Sequence, residues 1–245
     1  MQEKIIILFF LGFVAVTLKA QTKQITHESF YWTRYYNQIA FGDRWTWHNE
    51  IDERRFFKNN EHLHIIAHSR VHYKILPKVE LGAGFTYSLQ KNKDPNLMST
   101  LDIPELRPNQ EISYSNSISK RWKLQQRFRI DERFFRKNDG HNLTDGYDFN
   151  FRFRYRMQAA FRINKEEIEK STTLKVADEI MLNTGKKIIY NTFDQNRIYA
   201  ALEQGLSQSF SVELGYMYLY QQRPAAYHFF ERDIIRLTIF QKIKL

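Results

Sequence analysis

The sequence predicts an all-β protein, an antiparallel transmembrane β-barrel of ten to twelve strands, and three observations carry that expectation. The first is the stretch Tyr147–Ile163. Tyr147, Phe149, Phe151, Phe153, Tyr155, Met157, Phe161 and Ile163 share one parity, while Asn150, Arg152, Arg154, Arg156 and Arg162 share the other. Side chains of a strand alternate between its two faces, so this is one long strand with an apolar face and a cationic face. Such a strand needs two solvents, and a membrane barrel supplies them as lipid outside and water or polar side chains inside. The second observation is that the alternation recurs along the chain, with aromatics at 16% of 245 residues. The third is that no apolar run beyond Ala20 is long enough to cross a bilayer as a helix. A mean hydropathy of −0.58 taken alone points to a soluble protein. For barrels that inference fails, because half of each strand is polar and the average hides the pattern.

Residues 1–20 read as a secretory signal peptide: Lys4 begins it, Ile5–Val16 is a short apolar core, and Ala20 offers a small residue at the cut. Residues 21–245 then form the barrel domain. Cysteine is absent, which fits an exported protein that needs no disulfides. The formal net charge is +10, and removal of Glu3, Lys4 and Lys19 with the signal leaves +9. Such a balance suits nucleic acid, anionic lipid or an anionic solute, and export disfavours nucleic acid. The localisation expected is the bacterial outer membrane.

The strands follow in order. Ser29–Phe41 is aromatic with poorly separated faces, and Gly42-Asp43 turns the chain. Arg44 to about Phe57 puts Trp45, Trp47 and Ile51 on one face and Glu50, Asp52 and Arg54 on the other. Glu61–Leu76 sets Leu63, Ile65, Ala67 and Val71 against His62, His64, His68, Arg70 and His72. Val79–Gln90 alternates cleanly, with Glu80, Gly82 and Gly84 on its polar side. A polar loop over Lys91–Pro104 precedes a weaker strand, Glu105 to about Ser117. Arg121–Phe135 carries Arg127, Arg129, Asp131 and Arg133 on one face. A second polar loop, Arg136–Gly146, leads to Tyr147–Ile163 and a turn near Asn164–Glu169. Thr172–Asn183, Gln195–Leu206, Phe210–Gln221 and His228–Leu245 complete the set. The direct count is eleven, whereas bacterial single-chain barrels have even numbers, so ten or twelve is expected, with Gln21–Glu28 as a candidate extra strand.

Two copies of one pattern recur. Arg44-Trp45 leads after seven residues to Ile51-Asp52-Glu53-Arg54, and Arg121-Trp122 leads after nine to Ile130-Asp131-Glu132-Arg133. The even difference keeps Asp and the later Arg on the polar face in both. Trp45 and Trp122, each at the start of a strand, suit an interfacial aromatic girdle.

The inward charges have two readings. The structural one is that they pair across strands to fill a narrow lumen. The functional one is that Arg127, Arg129, Arg133, Arg152, Arg154, Arg156 and Arg197 face an anion, with Glu50, Asp52, Glu111, Asp131, Glu179 and Glu213 as lumen acids. Asp148 is a further local acid, and Glu111 and Glu179 come from flanking strands. A metal could bridge His62 and His64, yet no third ligand accompanies them, so no metal or other cofactor is expected. Ser88, Ser113, Ser115, His48, His68 and Glu111 offer the groups of a hydrolase without any motif around them, so no catalytic residue is assigned.

At Phe193-Asp194-Gln195-Asn196-Arg197-Ile198-Tyr199 and Val212-Glu213-Leu214-Gly215-Tyr216-Met217 the chain resembles the bacterial outer-membrane barrel family catalogued as domain of unknown function 2490. Further matching pieces are Trp32 with Tyr35, Trp45 with Glu50 and Arg54, Pro104-Glu105-Leu106-Arg107, Arg127-Arg129-Asp131-Glu132-Arg133, and Asp178-Glu179. The resemblance spans the chain beyond residue 20. It implies an outer-membrane barrel and supplies no catalytic residues. Many barrels end in Phe, whereas this sequence ends in Leu245 with Leu237, Ile239 and Ile243 keeping the outward alternation. The partners expected are outer-membrane lipid, an anionic small solute and the barrel-assembly machinery during insertion. The function expected is a narrow pore or binding barrel for anions. The alternatives are a barrel enzyme acting on envelope lipid or glycan, and a soluble exported β-rich binding protein.

Overall fold

The structure, a computed structural model, describes residues 22–91, 101–164 and 170–245. The expected signal peptide, residues 1–20, lies outside them. The described residues form eleven strands: β1 (Gln24–Phe41), β2 (Trp45–Phe56), β3 (His62–Leu76), β4 (Val79–Lys91), β5 (Asp102–Ser117), β6 (Trp122–Asn138), β7 (Leu143–Arg162), β8 (Thr172–Thr184), β9 (Phe193–Gly205), β10 (Phe210–Gln222) and β11 (His228–Lys244). Each pairs with its chain neighbours and the sheet closes through β1 and β11 into a barrel.

The direct count of eleven stands, and the even number does not. In an up-and-down sheet with an odd number of strands the first and last run in the same direction. Closure is therefore by one parallel pair, β1 with β11, while every other pair is antiparallel. That seam is fully zipped, from Gln24 opposite His228 to Ala40 opposite Lys244. The candidate extra strand is the beginning of β1, carried past Ser29 by this pairing. The loop expected over Arg136–Gly146 shrinks to a tight turn, because β6 and β7 keep pairing up to Asn138 and Leu143. Asn138 and Asp139 make that turn by accepting bonds from the Gly140, His141 and Asn142 backbone N–H groups.

The two faces divide as the alternation requires. Ile51, Val71, Leu81, Phe85, Phe128, Tyr155, Val176, Ile198, Leu214 and Leu237 point outward and are exposed. Near the end of the barrel with the Gly42–Arg44 and Pro77–Lys78 turns, Trp45 packs at a tilt against Tyr73 with ring centroids 4.6 Å apart and Trp122 against Phe161 at 4.7 Å. Inside, the charged residues are buried. So is an apolar cluster that strand periodicity did not reveal: Phe30, Trp32, Leu63, Ala177, Tyr199, Ala201, Met217, Leu219 and Ile234.

Leu63 corrects an expectation. Strict alternation puts it outward with Ile65, and His62 inward. The β2–β3 register shifts between Arg54 and Arg55, and a bulge of this kind re-aims the side chains beyond it. Leu63 and His64 are both buried, while His62 sits beside Glu53, which shares the outward parity of Ile51 (Nδ1 to Oε1, 3.7 Å). His62 and His64 therefore do not converge on a shared ion.

Glycine at positions 84 and 215 makes room for inward side chains. A Cβ on Gly84 would lie 2.2 Å from the Ser69 carbonyl oxygen and 2.4 Å from Arg70 Cγ, and one on Gly215 would lie 2.4 Å from the Tyr199 hydroxyl. Arg70 and Tyr199 thus lie across the neighbouring strand where a side chain would otherwise stand.

Candidate anion site in the barrel lumen

All seven arginines singled out from the sequence line one central cavity of about 170 Å³. Period-two alternation brings Arg127, Arg129 and Arg133 from β6, Arg152, Arg154 and Arg156 from β7, and Arg197 from β9 to the same space. Six more join them: Arg34, Arg54, Arg70, Arg107, Arg232 and Arg236. Against these thirteen stand three acids on the cavity wall, Glu50, Asp52 and Glu179.

Carboxylates hold the guanidinium groups, and Glu105, Asp131, Asp194 and Glu213 do so from outside the central cavity's lining. Glu105, a residue no charge tally from the sequence included, accepts two bonds from Arg107 (2.8 and 2.6 Å) and two from Arg133 (2.5 and 3.2 Å). Asp131 holds Arg129 at 2.7 Å and Arg154 at 3.5 Å. Asp194 holds Arg152 at 2.8 Å. Glu179 accepts both arms of one Arg154 nitrogen at 2.9 Å and Arg127 at 2.7 Å. Glu213 takes Lys175 at 2.7 Å, Arg236 at 3.2 Å and the Tyr199 hydroxyl at 2.6 Å. Asp148 does not balance this wall, because it lies at the rim with Lys187, 2.8 Å away. Both readings of the inward charges thus have a physical counterpart: acids fixing arginines, and arginines facing a shared space.

Arg156 differs from the other twelve. Its one hydrogen bond goes to Gln125 Oε1 at 3.1 Å, and no carboxylate partners it among the described residues. Buried side-chain nitrogens without a hydrogen-bond partner include Trp32 Nε1, Arg70 Nε and Nη1, Arg129 Nη2, Arg156 Nε and His64 Nε2. Every such atom on this cavity's wall is a nitrogen, and none is an oxygen.

A second cavity of about 240 Å³ continues toward the Gly42–Arg44 end and is lined by Glu80, Glu111, Glu203 and Glu213 as well as Lys175 and Lys242. The two adjoin, sharing Arg34, Glu50, Arg70, Arg127, Arg156, Gln158 and Arg236 in their linings.

Of the groups a hydrolase would need, His48, Glu111 and Ser113 line the second cavity and His68 the central one. His68 Nδ1 meets Thr86 Oγ1 at 2.5 Å and its Nε2 lies 3.9 Å from Glu50, but Thr86 is fully buried and lines no part of the central cavity. Ser88 donates to Glu105 at 3.2 Å. His48 stacks on His72 at 4.0 Å, and His72 Nε2 lies 3.6 Å from Glu111.

Residues 30–229, from within β1 to within β11, match the family described as "Protein of unknown function (DUF2490)". No curated protein matches the chain.

Proposed function

This chain belongs to the DUF2490 family, and we propose that it is an outer-membrane β-barrel whose cationic lumen binds small anions. The membrane setting is supported by the outward apolar face. From Phe149 to Phe161 on β7, at ~3.4 Å per residue and a tilt of ~40°, the aromatic-bounded band spans roughly 30 Å, the depth of a hydrocarbon core. A soluble β-rich protein would have to leave that face in water.

The observation that carries the anion reading is the composition of the central wall, thirteen arginines to three acids. The test is calorimetric titration of the purified barrel in detergent with inorganic phosphate. Binding is expected, weakening as salt is raised, and Arg156→Gln is expected to weaken it about tenfold, one charge-assisted hydrogen bond's worth. No heat of phosphate binding at low salt, in protein that still shifts its gel mobility on heating, would refute the reading.

A further inference from the structure

A separate basin lies at the end of the barrel with the 118–121 and 206–209 turns. Its volume is about 390 Å³, against about 170 Å³ for the central cavity. Six cations line it, Lys120, Arg121, Lys123, Arg162, Lys175 and Lys242, and one acid, Glu203. Lys175 takes that acid and, at 2.7 Å, Glu213. The other five cations have no carboxylate within ion-pair distance among the described residues. Arg121 donates instead to the backbone carbonyls of Arg162, at 2.9 Å, and Ile163. Most arginines of the central cavity are held by acids, whereas Lys120, Lys123 and Lys242 are exposed and unpaired with any. We propose that this basin binds a soluble anion carrying several charges along an extended body, as an oligophosphate does.

The placement of the cations argues for several charges rather than one. In the closed ring of eleven strands, β6 and β11 stand five places apart, as far as the ring allows. Lys123 of β6 and Lys242 of β11 therefore reach the basin from opposite walls. A chain of phosphates meets both walls together more fully than one phosphate does. Like charges around a concave surface also sum their field inside it. The rim is formed rather than loose. Ser119 Oγ accepts from the Arg121 and Trp122 N–H groups at 3.2 and 3.1 Å, and Ser207 Oγ from those of Ser209 and Phe210 at 3.3 and 3.1 Å. Gln125, Gln158 and Lys175 line the second cavity as well, so the basin adjoins the lumen. Arg156 lines both inner cavities and not the basin, so substitution separates the two anion sites.

The probe is sodium tripolyphosphate, titrated by calorimetry into the purified full chain in detergent at low salt, with inorganic phosphate as the comparison. Tripolyphosphate is expected to bind about tenfold or more tightly than phosphate, and to weaken as salt is raised. Lys123→Gln and Lys242→Gln are each expected to weaken it about three- to fivefold, the range of an exposed ion pair, and together about tenfold. Both lysines are exposed, so the folded barrel survives either change. Arg156→Gln is expected to leave tripolyphosphate binding unchanged. If phosphate matches tripolyphosphate, or the double lysine variant binds it as tightly as the parent, the proposal is refuted. If Arg156→Gln weakens tripolyphosphate more than the lysine pair does, the anion sits in the lumen, and the basin fails while the central site stands. Glu166, Glu167 and Glu169 lie outside the described residues and are present in the full chain. If they cancel the charge of the basin, tripolyphosphate gives no heat and the proposal fails, with phosphate still testing the central site on its own.

Discussion

Glu105 and Arg156 are opposite cases of one buried charge. Glu105 is 1% exposed and is the carboxylate shared by Arg107 and Arg133. Removing its charge leaves two buried guanidiniums without that acceptor, so Glu105→Gln is expected to cost about 3–5 kcal/mol. Arg156→Gln removes one hydrogen bond and no ion pair among the described residues, so its cost is expected to be about 1 kcal/mol or less. Urea unfolding in lipid vesicles followed by tryptophan emission compares them, and equal midpoints would contradict the division into fixed and free arginines. The same contrast explains what could be read from the sequence. Arg152, Arg154 and Arg156 were legible because Phe151, Phe153, Tyr155 and Met157 alternate with them on the other face. Arg107 and its acceptor were not, because Pro104 and Pro108 interrupt the look of a strand, and Pro108 leaves a gap in the β5–β6 ladder. Arg232 and Arg236 on β11 sit among mixed neighbours and gave no separate signal.

Among the elements, all eleven strands were legible, and their ends and one register were not. Pairing decides where a strand stops. Polar residues at the rim of β6 and β7 continue the ladder although no apolar alternation marks them, and the β2–β3 bulge that turns Leu63 inward has no sequence signature of its own. The inner apolar cluster stayed hidden for a related reason: Phe30 and Trp32 face inward while Tyr31 and Tyr35 face outward, so aromatic residues occupy both faces of β1. The β6–β7 turn carries a pH prediction. The N–H groups of Asn142 and then His141, at 2.7 and 2.9 Å, hold the Asp139 carboxylate below its ordinary range. A carboxylate held down in the fold stabilises above its unfolded value and loses that contribution as pH falls through its folded one. The Asn142 and His141 amide proton shifts should therefore titrate with a midpoint below the ordinary ~3.9 of Asp. A midpoint at or above that value would contradict the turn geometry.

For the whole molecule, odd closure has a consequence that no even barrel shares. Because β1 and β11 are parallel, the chain enters the barrel at one end and leaves at the other. In a membrane, the start of β1 and the end of β11 then lie on opposite sides, and if the shorter turns face the periplasm, Gln24 is at the cell surface. A peptide tag placed before Gln24 should be stained on intact cells, and one placed after Leu245 only once the outer membrane is permeabilised. Staining of both on intact cells would contradict the parallel seam. The central claim concerns what the closed barrel holds, and diffraction tests it most directly. Crystals soaked in sodium bromide are predicted to show anomalous bromide peaks inside the central cavity beside Arg156 and Arg129, and crystals soaked in rubidium chloride no rubidium there. Rubidium in that cavity, or bromide confined to the outer surface, would contradict an anion-binding lumen.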